Sequence, residues 1–225
     1  VPSLALACEG GRCTDAGDGQ LRWDASLRLR GLYYDPTRFG IGGSEDGYGL
    51  LRALASATYA EDSWQAKLQL GVHAENGKAG GPGRTDRSAL DVQQAYWRWQ
   101  RGSFHLQLGR QEAGYGSSRL LSVRDGPNIR LAFDGARAGW KGRLGTLDLM
   151  ALRPLENRPG AFDDRGERGA HLWGAYATTA RGRGPGQWDL YLLDYRREGA
   201  RFAAGSGTER RQTLGARWFG QSGLL

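Results

Sequence analysis

Residues 21–34 read LRWDASLRLRGLYY. Leu21, Trp23, Ala25, Leu27, Leu29, Gly31 and Tyr33 make one row, and Arg22, Asp24, Ser26, Arg28 and Arg30 alternate with them. A period of two separates an apolar from a charged face in a strand and would scatter both around a helix. The pattern recurs. Trp64, Ala66, Leu68, Leu70 and Val72 oppose Gln65, Lys67, Gln69 and His73; Phe104, Leu106 and Leu108 oppose His105 and Gln107; Ala136, Ala138 and Trp140 oppose Arg137 and Lys141. Weaker versions lie near 48–59, 90–99, 145–153, 171–180, 187–196 and 211–219. That gives about ten strands of roughly nine or ten residues, the length a tilted strand needs to cross a bilayer.

The connections alternate as regularly as the residues. Residues 35–47, 74–89, 113–132, 154–170 and 197–210 are long; 60–63, 100–103, 142–144 and 181–186 are short. Elaborating every second hairpin end is the habit of a transmembrane β-barrel, with short periplasmic turns and long outer loops. A soluble sheet with one wet face would share the alternation. It would not sort its loops by length, nor place Trp23, Tyr33, Tyr59, Trp64, Trp97, Trp99 and Trp140 near strand ends as interfacial girdles. The reading is an all-β, antiparallel transmembrane barrel in a bacterial outer membrane, in contact with lipid and lipopolysaccharide.

Composition agrees. The 225 residues include 37 glycines, 8 tryptophans and 9 tyrosines, with one methionine and only Lys67, Lys78 and Lys141 as lysines among 31 basic residues. Mean hydropathy is −0.59, and no apolar run approaches the roughly 18 residues of a spanning helix. The net charge of +7 is spread along the chain without a basic block, which disfavours nucleic acid and leaves an anionic surface or substrate. Leu4-Ala5-Leu6-Ala7 resembles the end of a secretory signal, so 1–19 reads as a leader remnant and 20–225 as the barrel domain. Cys8 and Cys13 are either a small disulfide loop or two free thiols. Gly223-Leu224-Leu225 looks like the start of another strand, so the chain reads as a fragment of a larger barrel.

If the apolar face meets lipid, the other lines a lumen. Parity places Arg22, Arg28, Arg30, Arg52, Lys67, Arg98, Arg137, Lys141 and Arg217 there, against Asp24 and Asp148. Such a wall attracts anions, and guanidinium binds carboxylates through a planar fork that stays charged. Residues 113–132 carry Arg119, Arg124, Asp125 and Arg130 and are too long for a simple hairpin; they either fold into the mouth, presenting their cations, or form an ordinary solvated loop, and Gly126-Pro127-Asn128 is a turn signal in both cases. Enzyme signatures are absent (no G-x-S-x-G, HExxH or P-loop), and no metal or cofactor set is expected.

Within 104–140, Leu108-Gly109-Arg110-Gln111-Glu112, Arg119-Leu120, Pro127-Asn128-Ile129-Arg130 and Phe133-Asp134-Gly135-Ala136-Arg137 resemble the alginate export family of outer-membrane β-barrels. The resemblance implies a monomeric barrel of about eighteen strands through which an anionic uronate polymer diffuses along an arginine-lined constriction, with periplasmic secretion partners. It nominates Arg110 and Arg137. With the parity set, the candidate pathway is Arg28, Arg30, Arg52, Lys67, Arg98, Arg110, Arg124, Arg130, Asp134 and Arg137. Arg137 is expected near the outer mouth, oriented by Asp134. Arg110 shares parity with Leu106 and Leu108: either Gly109 marks a bulge that turns it inward, or it lies at the strand end beyond the hydrocarbon. The competing functions are an anion-selective uptake porin for small solutes and a soluble all-β module that grips acidic glycans.

Overall fold

The computed structural model describes residues 19–34, 45–181 and 186–220. Residues 1–18, with Cys8, Cys13 and the stretch expected to be a leader remnant, most of the first long connection, part of the 181–186 turn and the C-terminal Gly223-Leu224-Leu225 lie outside them. Ten long strands form one sheet: β1 (Gln20–Tyr34), β2 (Asp46–Glu61), β3 (Trp64–Asn76), β4 (Ser88–Arg101), β5 (Phe104–Glu112), β6 (Ala132–Gly142), β7 (Gly145–Glu156), β9 (Ala170–Thr179), β10 (Gln187–Phe202) and β11 (Gly205–Phe219). The two-residue β8 (Arg165–Gly166) pairs with the end of β7. Each long strand is antiparallel to its chain neighbours, and β1 is not joined to β11, so the sheet is open among the described residues.

The ten long strands run from 9 to 16 residues, and all but β5 and β9 are longer than expected. At about 3.3 Å per residue, the longest exceed what a tilted bilayer crossing needs. One long connection disappears. Residues 197–210 are the paired ends of β10 and β11, which meet at Ala203–Ala204. Both faces of that hairpin are largely exposed and polar, so no alternation marked it as strand.

The outer face is apolar and bare. Leu27, Leu29, Leu68, Leu149, Leu192 and Leu214 project from it, exposed, across the sheet. Near the short turns it carries an aromatic belt, in which Trp64 pairs with Trp99, Phe104 with Trp140 and Trp188 with Trp218. A continuous apolar face of this size is not left to water.

The inner face is covered by the chain itself. The connection 113–131 lies across it and seals a core of Ala113, Leu121, Phe133, Met150, Leu152, Leu172, Tyr176 and Leu193. The inner face therefore divides in two. On β1–β5 it is mainly polar and basic, with Leu50 and Leu54 of β2 buried beside Arg52 as the exceptions. On β6–β10 it is apolar wherever the connection lies on it, so Met150, Leu152 and Leu172 face in while Leu147, Leu149 and Trp173 face out.

Candidate functional site

The site lies where the connection crosses the basic half. Register sets Arg28 opposite Arg52, Arg52 opposite His73 and His73 opposite Ser88 on successive strands. Like charges facing each other across a ladder repel, and an anion between them reverses the sign. Asp125 supplies it. Its Oδ1 accepts from Arg52 Nη2 at 2.7 Å and from Arg130 Nε at 2.8 Å, and its Oδ2 lies 3.4 Å from Arg28 Nη1. Arg28 also donates to the Asp125 carbonyl (2.7 Å) and the Pro127 carbonyl (2.8 Å), and Arg30 to the Gly126 carbonyl (2.6 Å). Burial would raise the Asp125 carboxyl, but the hydrogen bonds from Arg130 and Arg52 outweigh it and hold the group below the usual carboxylate range.

Neighbouring contacts fix the same stretch. Asn128 is buried; its Nδ2 lies within hydrogen-bond distance of the carbonyls of Leu51, Ala74 and Asp86, and the Ile129 amide donates to Thr85. Gln93 bridges Glu112 and the Arg130 carbonyl, and Arg130 Nη1 stands 3.8 Å from Glu112. Thus the connection does fold inward, yet in this stretch it offers the strands a carboxylate and a row of carbonyls rather than free cations. The chain does bend at Gly126-Pro127-Asn128; that the bend seats Asp125 between strand arginines depends on contacts spanning nearly a hundred residues.

The motifs at 108–112 and 133–137 interlock. Gly109 pairs with Gly135 across β5 and β6. Both have positive φ, and a Cβ on either would stand 2.3 Å or less from the facing backbone oxygen of Ala95 or Ala151. Only glycine fits that approach. Gln111, wholly buried, donates through Nε2 to the carbonyls of both glycines and accepts from Arg137 Nε at 2.6 Å. So Arg137 is oriented by Gln111 and not by Asp134, and it stands mid-strand opposite Gln107 and Met150 rather than at the mouth. Asp134 instead accepts from Arg110 Nε at 2.9 Å.

No bulge occurs at Gly109: the pairings of β5 with β4 and β6 run through it without a shift. Arg110 sits near the end of β5, where β4 leaves its neighbour. It donates to the carbonyls of Val92 and Asp164 and lies 3.5 Å from Asp91. Residues 159–164 fill that gap alongside β4, their amides at 163 and 164 donating to Asp91 Oδ2. The carboxylates of Asp91, Asp163 and Asp164 come close enough for a metal ion. However, Asp91 is already held by those two amides and by Arg110, which makes this a self-contained lock.

The remaining nominated cations stand apart. Lys67 and Arg98 lie on the inner face of β3 and β4, opposite Thr58 and Tyr96, and Gln65 and Gln107, with no ion pair or hydrogen bond among the described residues. Arg124 has φ of 53° and an exposed side chain. Sequence reasoning left out Gln111, Glu112 and Asn128 as site residues, and it treated Asp125 as one loop charge among several.

A model of the family described as alginate export matches residues 20–224. The chain belongs to the alginate export family. No curated protein and no solved structure matches it. The family is one of outer-membrane β-barrels, and an eleven-stranded antiparallel sheet with a bare apolar face, and no helix among the described residues, accords with a piece of such a barrel. The soluble-module alternative thereby loses its ground.

Proposed function

We propose that the chain forms the wall of an outer-membrane channel that passes an anionic, alginate-like polyuronate outward and performs no catalysis. The observation that carries this reading is the sorting of charge in an alginate export protein: the inner face of β1–β5 gathers Arg28, Arg30, Arg52, Lys67 and Arg98, while the outer face is apolar. Cations on a water-facing wall raise the local anion concentration and can be exchanged without touching lipid contacts. In this reading the barrel is monomeric, the short turns face the periplasm and its secretion partners, and the long connections face outside among lipopolysaccharide. Residues 20–225 belong to the barrel and 1–19 to its leader. Lys67, Arg98 and Arg137 line the pathway together with the arginines that clasp Asp125, and Arg124 reaches toward the opening. Arg110 and Asp134 act at one remove, by fixing where β4, β5 and residues 159–164 meet.

The test uses the full-length protein in planar bilayers. Reversal potentials in a salt gradient should show anion selectivity, and replacing Lys67 and Arg98 together with Ser should weaken it, since neither side chain holds the fold. Polyuronate chains should block the current where small anions pass freely; equal passage of both would favour the uptake porin. Cation selectivity, or unchanged potentials in the double variant, would refute the reading.

A further inference from the structure

The guanidinium cluster has more donors than its own chain satisfies. Arg52 has a side chain only 5% exposed, and its Nη1 has no partner although Nη2 binds Asp125. The Nε atoms of Arg28 and Arg30 and both ring nitrogens of His73 are likewise buried and unpartnered. Four arginines, Arg28, Arg30, Arg52 and Arg130, are bridged by two carboxylates, Asp125 and Glu112, and the third nearby, Asp86 beside Arg30, is already paired with Lys78. The Asp125 side chain, by contrast, is 61% exposed. Buried donors around an accessible acceptor describe a built anion site with an occupant that water and solutes can reach.

We propose that the Arg28–Arg52–Arg130 cluster is a binding site for the carboxylate of a sugar acid, and that Asp125 is its built-in occupant, displaced when a uronate unit of the polymer enters. This rests on the channel reading above and deepens it. The chemistry fits the occupant it has: a planar carboxylate shared among guanidinium forks, one oxygen taking Arg52 and Arg130 and the other facing Arg28. A uronate presents the same group on a ring whose hydroxyls can accept from the free Arg52 Nη1 and Arg30 Nε. The contacts to the backbone carbonyls of Asp125, Gly126 and Pro127 do not depend on the carboxylate, so the connection can stay docked as Asp125 swings out. A site filled by its own chain binds an outside ligand in proportion to the fraction of time it stands empty. Affinity per unit stays low, which suits a polymer that must move on.

The experiment measures block of single-channel current through the full-length protein by an oligouronate of defined length, with a neutral oligosaccharide of the same length as control. Asp125→Asn should raise the apparent affinity for the oligouronate by about tenfold, leave the neutral sugar unchanged, and be reversed by Asp125→Glu. Wild-type affinity in the Asn variant, with the wild type itself blocked, would overturn the occupant role and leave the channel reading standing. No block of any form would remove both. A second measurement keeps Asp125 intact: Gly126→Cys, with Cys8 and Cys13 replaced by Ser, should react faster with a maleimide when the oligouronate is present. Acceleration by inorganic phosphate to the same degree, or none by oligouronate, would overturn the sugar-acid assignment.

Discussion

The two halves of the inner face hold one segment by opposite means. On β6–β10, Tyr115 and Leu121 settle onto Phe133, Leu152, Leu172 and Leu193, with Tyr115, Tyr176 and Tyr191 in contact ring to ring. On β1–β5, Asp125 and the carbonyls that follow it are clasped by arginines. Apolar burial is non-directional and is not screened by salt, so that half serves as an anchor. Charge pairs at a half-exposed carboxylate are screened and exchangeable, so this half can let go. An anchored stem with a releasable tip is what a pathway for anions requires, because the polymer competes with the tip and not with the stem.

The sharpest way to break that contrast is to weaken each half in turn. Leu172→Ala removes a buried side chain from the anchor and should cost about 3 kcal/mol of stability, read from denaturant unfolding in vesicles by tryptophan fluorescence. Arg28→Ala at the clasp should cost less, about 1–2 kcal/mol, since the carboxylate it leaves is open to water and only the Asp125 and Pro127 carbonyls lose a donor. Equal losses would mean that both halves are structural.

The seam between the halves is the Gly109–Gly135 pair. Gln111→Ala would strip both glycine carbonyls and Arg137 of their partner, at about 1–3 kcal/mol. Gly135→Ala should do more, because its Cβ would stand 2.1 Å from the Ala151 oxygen. A Gln111→Ala barrel of normal stability would show that Arg137 needs no positioning.

The basic half was legible from parity alone: one face apolar, one charged, in 21–34 and again in 64–73. The apolar half announced itself only as weakness. Stretches 145–153, 171–180 and 187–196 alternate poorly because Met150, Leu152, Leu172 and Leu193 are apolar on the face that parity reserves for polar residues. A strand covered on both sides loses its alternation, and what covers these strands is the chain's own connection. The loop-length pattern located that connection but could not say where its carboxylate would land. Arg110 was ambiguous for a similar reason: its partners are residues 91, 92, 134 and 164, and two of these lie in separate outer segments or strand ends whose meeting is tertiary.

Salt should separate the halves without mutation. Raising ionic strength from about 0.1 M to 1 M shortens the Debye length from about 10 Å to 3 Å. Amide protection in 122–131 should fall by a few-fold, while that of 113–121 stays level or rises. Parallel loosening of both stretches would erase the distinction between anchor and clasp.

Acid offers the smallest and most discriminating effect, because two outer segments should respond in opposite directions. Asp125 is held below the usual carboxylate range, so its clasp is fully present above about pH 4 and is lost only as pH falls through the depressed value. Asp164 is the reverse case. Burial first, then the nearby Asp91 and Asp163 charges, raise it to about 6, against the pull of the Arg158 amide and Arg110. A carboxyl raised in the folded protein favours the protonated form, so the packing of residues 159–164 against β4 gains as pH drops through 6 and is weakest at neutrality. Protection factors measured at pH 7, 5 and 3, corrected for intrinsic exchange, should therefore rise for 159–164 between 7 and 5 while those of 122–131 stay flat. Below pH 4 the second stretch should loosen in turn. Loosening of 122–131 already between pH 7 and 5 would mean that burial outweighs Arg130 and Arg52 and raises the Asp125 carboxyl, and the clasp would then be no clasp at all.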